Sequence, residues 1–325
     1  MNRLLAACLC LAAVASEDRP CVLIVVGASG SPDYAGQFSQ WADLWQAAAA
    51  KAGAESVLVG RSQEAGTTDR DRLHSILLAK ASTGREPLWI VMIGHGTFDG
   101  REAKFNLRGP DVNDAEVAQW LSPSKRPIVV LNCASGSGPF INRLSGPDRI
   151  VVTASKSGYE LNFARFGQYL AESIGDERTD LDKDGQVSLL EAFLTASSRV
   201  NEYYRNHSQL TTEHALLDDN GDGLGTPADW FQGTRATRRA KDGAGLDGHR
   251  AHQIHLIKSD RERQMPADLR RRRDQIELSI AALRDQKDKL SEDAYYRQLE
   301  ELMVELARLY RDAEAKAPSG SGTAP

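Results

Sequence analysis

Four short stretches of this chain are apolar from end to end: Cys21–Gly27 (CVLIVVG), Leu88–Ile93 (LWIVMI), Ile128–Leu131 (IVVL) and Ile150–Thr153 (IVVT). A strand with one wet face alternates polar and apolar residues, whereas one that is apolar throughout is covered on both faces. Ser56–Gly60 reads as a further strand. Between these runs, apolar residues recur at helical spacing: Phe38, Trp41 and Trp45, then Leu73, Ile76 and Leu77, and later Phe163, Phe166 and Leu170. Asn113 with Glu116 three residues on forms a capping box, opening a helix that buries Val117, Trp120 and Leu121. Strands of this kind separated by helices predict an α/β fold in three layers, a mostly parallel sheet with helices on both faces. In such sheets ligands bind beyond the carboxyl ends of the strands.

Two of those strand ends carry reactive side chains. LWIVMI runs into Gly94-His95-Gly96, and IVVLN runs into Cys133-Ala134-Ser135-Gly136. Both should surface at one edge of the sheet. A thiolate is the nucleophile in cysteine chemistry, and a neighbouring imidazole lowers the thiol pKa or carries its proton. Glycine and small residues beside each one leave backbone N–H groups uncovered for a developing oxyanion. The plainer alternative is that Cys133 is core filler after an apolar strand and His95 a turn residue.

An apolar strand ending in His-Gly, followed 38 residues later by an apolar strand ending in Cys133, resembles the caspase–legumain group of cysteine peptidases. The legumain branch is the nearer match, through Cys133-Ala134-Ser135-Gly136-Ser137 and Val152-Thr153-Ala154-Ser155-Lys156-Ser157-Gly158. The resemblance covers about Cys21 to Ile174 and implies a caspase-like fold. By it, His95 would be the general acid/base, Cys133 the nucleophile, and the amides of Gly96 and Cys133 the oxyanion hole. Peptide bonds would then be cut through a thioester acyl-enzyme, and some relatives transfer the acyl group to an amine, as a transamidase or ligase does. Asn132 stands where the family commonly has Ala, and Ala134 where legumain has an acidic residue. Asparaginyl preference is therefore not implied. The loop Gly27–Asp33 should border the cleft without identifying a favoured substrate residue.

Asp180-Leu181-Asp182-Lys183-Asp184-Gly185-Gln186-Val187-Ser188-Leu189-Leu190-Glu191 meets every position of an EF-hand calcium loop. Asp180, Asp182 and Asp184 supply carboxylates and Gly185 the sharp turn. Gln186 offers its carbonyl, Ser188 fills position nine, and Glu191 gives the closing bidentate carboxylate. A second loop, Asp218 to Asp229, fits at Asp218, Asn220, Asp222 and Gly223, with Leu224 at the carbonyl position. There Asp229 replaces the usual Glu, and Gly225 and Pro227 suit the motif poorly. The expected cofactor is Ca²⁺.

The ends have other roles. Residues 1–15, with Arg3, an apolar run and Ala13-Val14-Ala15, read as a signal peptide, which implies a secreted or periplasmic protein. Leu5-Ala6-Ala7-Cys8 resembles a lipoprotein box, but the apolar run before it is very short for one. Removing the signal leaves Cys21 and Cys133, which export would allow to pair but which make no disulfide framework. The caspase-like domain with both acidic loops should span 16–234, and the charged stretch 235–265 reads as a linker. His249, His252 and His255 recur every third residue, but Gln253–Ile257 alternates like a strand, which does not favour a zinc face. At 266–314, Leu269, Ile276, Ile280, Leu283 and Leu290, then Tyr295, Leu299, Leu302, Leu306 and Leu309, predict a helical hairpin of coiled-coil type able to bind a partner or a second copy. The tail, 315–325, has a disordered composition. A formal net charge of −5 gives no case for nucleic acid, and no stretch could cross a membrane. Protein or peptide is thus the expected substrate of an exported cysteine endopeptidase. The alternative from another class is a catalytically inactive caspase-like module that binds calcium and a partner.

Overall fold

The computed structural model describes residues 19–62, 66–242 and 244–316. The signal peptide, Cys8 and nearly all of the tail lie outside the described residues. The chain divides after Ile257 into two compact units.

The first unit is built on β1 (Cys21–Val26), α1 (Pro32–Lys51), β2 (Glu55–Val59), α2 (Asp69–Ala81) and β3 (Leu88–Ile93). A small antiparallel sheet follows, of β4 (Gly96–Phe98), β5 (Ala103–Phe105) and β6 (Val112–Asn113). Then come α3 (Asp114–Leu121), β7 (Ile128–Asn132), α4 (Pro139–Leu144), β8 (Arg149–Thr153), α5 (Phe166–Ser173) and α6 (Leu189–Asn206). The unit ends with β9 (Leu216–Asp218), β10 (Thr226–Pro227), the β11 (Phe231–Gln232) and β12 (Arg235–Ala236) pair, and α7 (His249–Gln253). The main sheet has 7 strands in the order β10-β9-β8-β7-β3-β1-β2. β2, β1, β3, β7 and β8 run parallel, and β9 and β10 add an antiparallel edge.

Two cores explain why the strands are apolar throughout. On one face Val22, Ile24, Val129 and Leu131 meet Trp41 and Trp45 of α1, Phe166 and Leu170 of α5, and Phe193 of α6. On the other, Leu23, Val25, Ile90 and Val130 meet Leu73 and Leu77 of α2, Val117 of α3 and Phe140 of α4. The expected three-layer arrangement of a mostly parallel sheet is therefore present, and the Asn113–Glu116 capping box forms as its spacing implies. Cys21 and Cys133 are both free thiols, one in each core, on opposite faces of the sheet.

α1 starts at Ser31, whose hydroxyl accepts the Tyr34 amide, and carries Pro in its first turn. Gly36 lies inside this helix, exposed, with nothing within 4 Å of where a Cβ would stand. Gly36→Ala should therefore raise stability by about 0.5–1 kcal/mol through lost unfolded-state freedom. A matched pair of urea denaturation curves, with unchanged slope and a higher midpoint, checks this.

The stretch 235–265 is not a linker along its whole length. Ala251 and Leu256 are buried in the first core, and the Leu189 amide donates to the Ile254 carbonyl at 2.9 Å. The charged composition hid this because a few apolar anchors, Ala251 and Leu256 with Ile254 and Ile257 packed beside them, pin the segment. The second unit holds α8 (Asp260–Gln264), α9 (Ala267–Asp285) and α10 (Glu292–Lys316). Ile276, Ile280 and Leu309 form its core with Leu269, Leu299, Leu302 and Leu306, giving the hairpin. Arg273 bridges from α9 to Glu262 of α8 at 2.6 Å, an ion pair buried on both sides.

Candidate functional site

β3 and β7 are neighbours in register, Met92 opposite Asn132, so His95 and Cys133 do close adjacent parallel strands. Their side chains find different surroundings. His95 is half-buried among Tyr34, Phe38 and Phe163, with ring centroids 4.9, 5.2 and 6.0 Å away. Its Nε2 faces the Ser29 carbonyl at 3.2 Å, which makes that nitrogen the donor. Cys133 points into the first core and is 1% exposed. The thiol's hydrogen-bond partner is the Leu131 carbonyl, 3.9 Å away. α5 presses on it from above: a Cβ added to Gly167 would stand 2.6 Å from the Cys133 Cβ. Burial pushes the thiol pKa up to about 12, opposite to what a nucleophile needs.

The expected oxyanion hole is not formed. The Cys133 amide donates to the Met92 carbonyl at 2.9 Å, as one more rung of the β3–β7 ladder. The Gly96 amide donates to Ser135 Oγ at 3.3 Å, and that hydroxyl in turn donates to the Gly96 carbonyl at 3.4 Å. The fit is close, since a Cβ on Gly96 would stand 2.2 Å from the Ser135 carbonyl oxygen. Ser135, which the sequence did not single out, thus joins the two strand ends. Beside them, the loop from Val26 to Pro32 lines a cavity of about 660 Å³ with Gly60, Arg61 and Arg108. Both arginines are paired, Arg61 with Asp43 and Arg108 with Asp69.

The first acidic loop gathers side chains that could hold a metal ion. Asp180, Asp182 and Asp184 bring carboxylate oxygens within 4.8 Å of one another. Asp180 Oδ1 and Oδ2 accept the amides of Lys183 and Gly185; Asp182 Oδ1 accepts that of Asp184, and Asp184 Oδ1 that of Gln186. Glu191 is buried, with Oε1 on the amides of Leu181 and Asp182 and Oε2 on the amide and hydroxyl of Ser188. Asp182 Oδ2 also meets His252 Nε2 of α7 at 2.8 Å.

The second loop repeats those turns. Asp218 accepts the amides of Gly221 and Gly223, Asn220 that of Asp222, and Asp222 that of Leu224. The other oxygen of Asp222 is buried with no partner, which suits a bound cation. Asp229 departs from its expected place. It lies in a 3-10 turn, Ala228–Trp230, and lines a separate cavity of about 230 Å³ with Ser197, Glu213 and His214. Pro227 and the short β10 strand carry the chain away before position twelve can fold back on the loop. Asp218, Asp219 and Asp247 are all buried there, and burial together with Asp219 pushes Asp247 up to about 8.

No family model matches the chain, and no curated protein matches it. Among solved structures it is similar to the Drosophila initiator caspase Dronc, at 14% identity over 65% of this chain and 83% of that one, with a TM-score of 0.42. It is also similar to caspase-1 from Spodoptera frugiperda, at 8% identity over 63% of this chain and 87% of that one, with a TM-score of 0.40. No helix among the described residues is long and apolar enough to cross a membrane.

Proposed function

We propose that this chain is an exported calcium-binding protein on a caspase-like scaffold, in which His95 and Cys133 do not work as a catalytic dyad. One observation carries the reading: the Cys133 thiol is sealed in the core, with its pKa raised rather than lowered. A nucleophile must reach the substrate carbonyl, and an inert buried thiol reaches nothing. Calcium at Asp180, Asp182, Asp184 and Glu191, and at the loop beginning with Asp218, would neutralise crowded carboxylates and hold the segments after the sheet in place. The helical hairpin is the part left to engage a partner or a second copy.

A second reading is a cysteine endopeptidase, or a transamidase, working through a thioester on Cys133 with His95 carrying the proton. What favours it is that the two residues close neighbouring parallel strands. It requires the turn after Asn132 to rotate Cys133 out from under Gly167. A mixed peptide library, incubated with wild type and with Cys133→Ala, with and without calcium and an added amine, separates the two. On the first reading, product formation is the same for both proteins within about twofold of background. Cleavage or amine transfer lost in Cys133→Ala would overturn it and establish the second.

A further inference from the structure

The two acidic loops make matching hydrogen bonds, and in the second loop one of the matching residues lies outside the motif spacing. In the first loop, Glu191 Oε1 accepts the amides of positions two and three, Leu181 and Asp182, and Oε2 accepts the hydroxyl of position nine, Ser188. In the second loop the same three contacts are made by Asp247. Its Oδ1 accepts the amides of Asp219 and Asn220, positions two and three, at 3.1 and 3.2 Å. Its Oδ2 accepts the hydroxyl of Thr226, position nine, at 2.6 Å. Asp247 is 2% exposed, as enclosed as Glu191. Asp229, twelfth by count, faces a different cavity.

We propose that Asp247, and not Asp229, supplies the carboxylate that closes the second calcium loop. The inference rests on the calcium reading above. The first loop takes its closing acid from its own exiting helix. The second takes it from a segment 18 residues beyond the expected position, brought back by the chain that leads into α7. Asp219 secures that return, with Oδ1 on the Gly248 amide at 2.9 Å and Oδ2 on the Ala251 amide at 2.7 Å. The buried, unpartnered oxygen of Asp222 is the group a cation in this loop would satisfy. Asp218, Asp219 and Asp247 are all buried, and a cation among them would offset the cost of keeping their carboxylates charged.

Calcium titration of the metal-stripped full chain by calorimetry, with terbium luminescence as a second readout, tests this. Wild type should bind two calcium ions. Glu191→Gln should lose one, Asp229→Asn should keep both, and Asp247→Asn should weaken the second by at least about tenfold while leaving the first unchanged. Asp247→Asn binding both ions as wild type does, or Asp229→Asn losing one, overturns the inference. If Asp247→Asn does not fold, Thr226→Val removes the hydroxyl that orients Asp247. It should weaken the second site alone, and an unchanged second site overturns the inference. A wild type that binds one ion, lost in Glu191→Gln, overturns it and leaves the calcium reading standing. A wild type that binds none removes the calcium reading itself.

Discussion

Native protein treated with iodoacetamide at pH 8 should leave Cys133 unmodified, on a timescale at which the unfolded chain is fully alkylated. With a pKa near 9.0 a thiol is about one-tenth thiolate at pH 8; at about 12 the fraction falls roughly a thousandfold, before access is counted. Access lowers the rate further, because Gly167, pressed on the thiol's Cβ, closes the route from above. The pH dependence has a definite sign. The folded state raises this pKa, so its contribution is fully present below the unfolded value near 9 and is lost as pH climbs towards 12. Alkaline unfolding should begin above about pH 9, and Cys133→Ala should delay it. Mass spectrometry of peptides after timed labelling reads the first effect. Rapid labelling of Cys133 in the folded protein would remove the basis for an inert scaffold.

Glu213→Ala should be among the most damaging single changes in the first unit. Glu213 is 3% exposed, and its carboxylate accepts the Arg165 amide at 2.8 Å, the Phe166 amide at 2.9 Å and the Tyr204 hydroxyl at 3.2 Å. It therefore caps the start of α5, which has no side-chain cap of its own. Removing it orphans the two amides at the helix start and leaves the Tyr204 hydroxyl with Thr212 alone, at about 2–4 kcal/mol in all. That corresponds to a melting temperature lower by roughly 5–15 °C. Glu213→Gln keeps the shape and an acceptor oxygen, and should recover more than half of the loss. Equal melting temperatures for wild type and Glu213→Ala would show that water replaces the carboxylate at no cost.

Much of this arrangement is legible in the sequence. Four apolar runs and the Ser56–Gly60 stretch mark the parallel strands, and Asn113 with Glu116 marks a helix start, because burial on both faces and capping leave local signatures. The orientation of Cys133 did not. It shares a face with Val129 and Leu131, but a strand covered on both sides offers no polar alternation from which to read direction. Nor was the Cys133 amide's bond to Met92 visible, since the ladder runs one rung past the last strand residue. Asp247 was out of reach for a related reason. A loop motif is counted along the chain, and the residue that fits position twelve here arrives through tertiary structure. Glu213 likewise acts on an amide pair 48 and 47 residues away, in a segment of unremarkable composition.

α7 is five residues long, too short to be stable alone. Asp219 of one acidic loop holds its first turn, and His252 on its outer side touches Asp182 of the other. On the calcium reading, an ion in the first loop would compete with His252 for Asp182, while one in the second would hold the segment that carries His252. The helix would then make the two loops parties to one equilibrium. Linkage requires that whatever factor of affinity the first ion gains or loses from the second, the second gains or loses from the first.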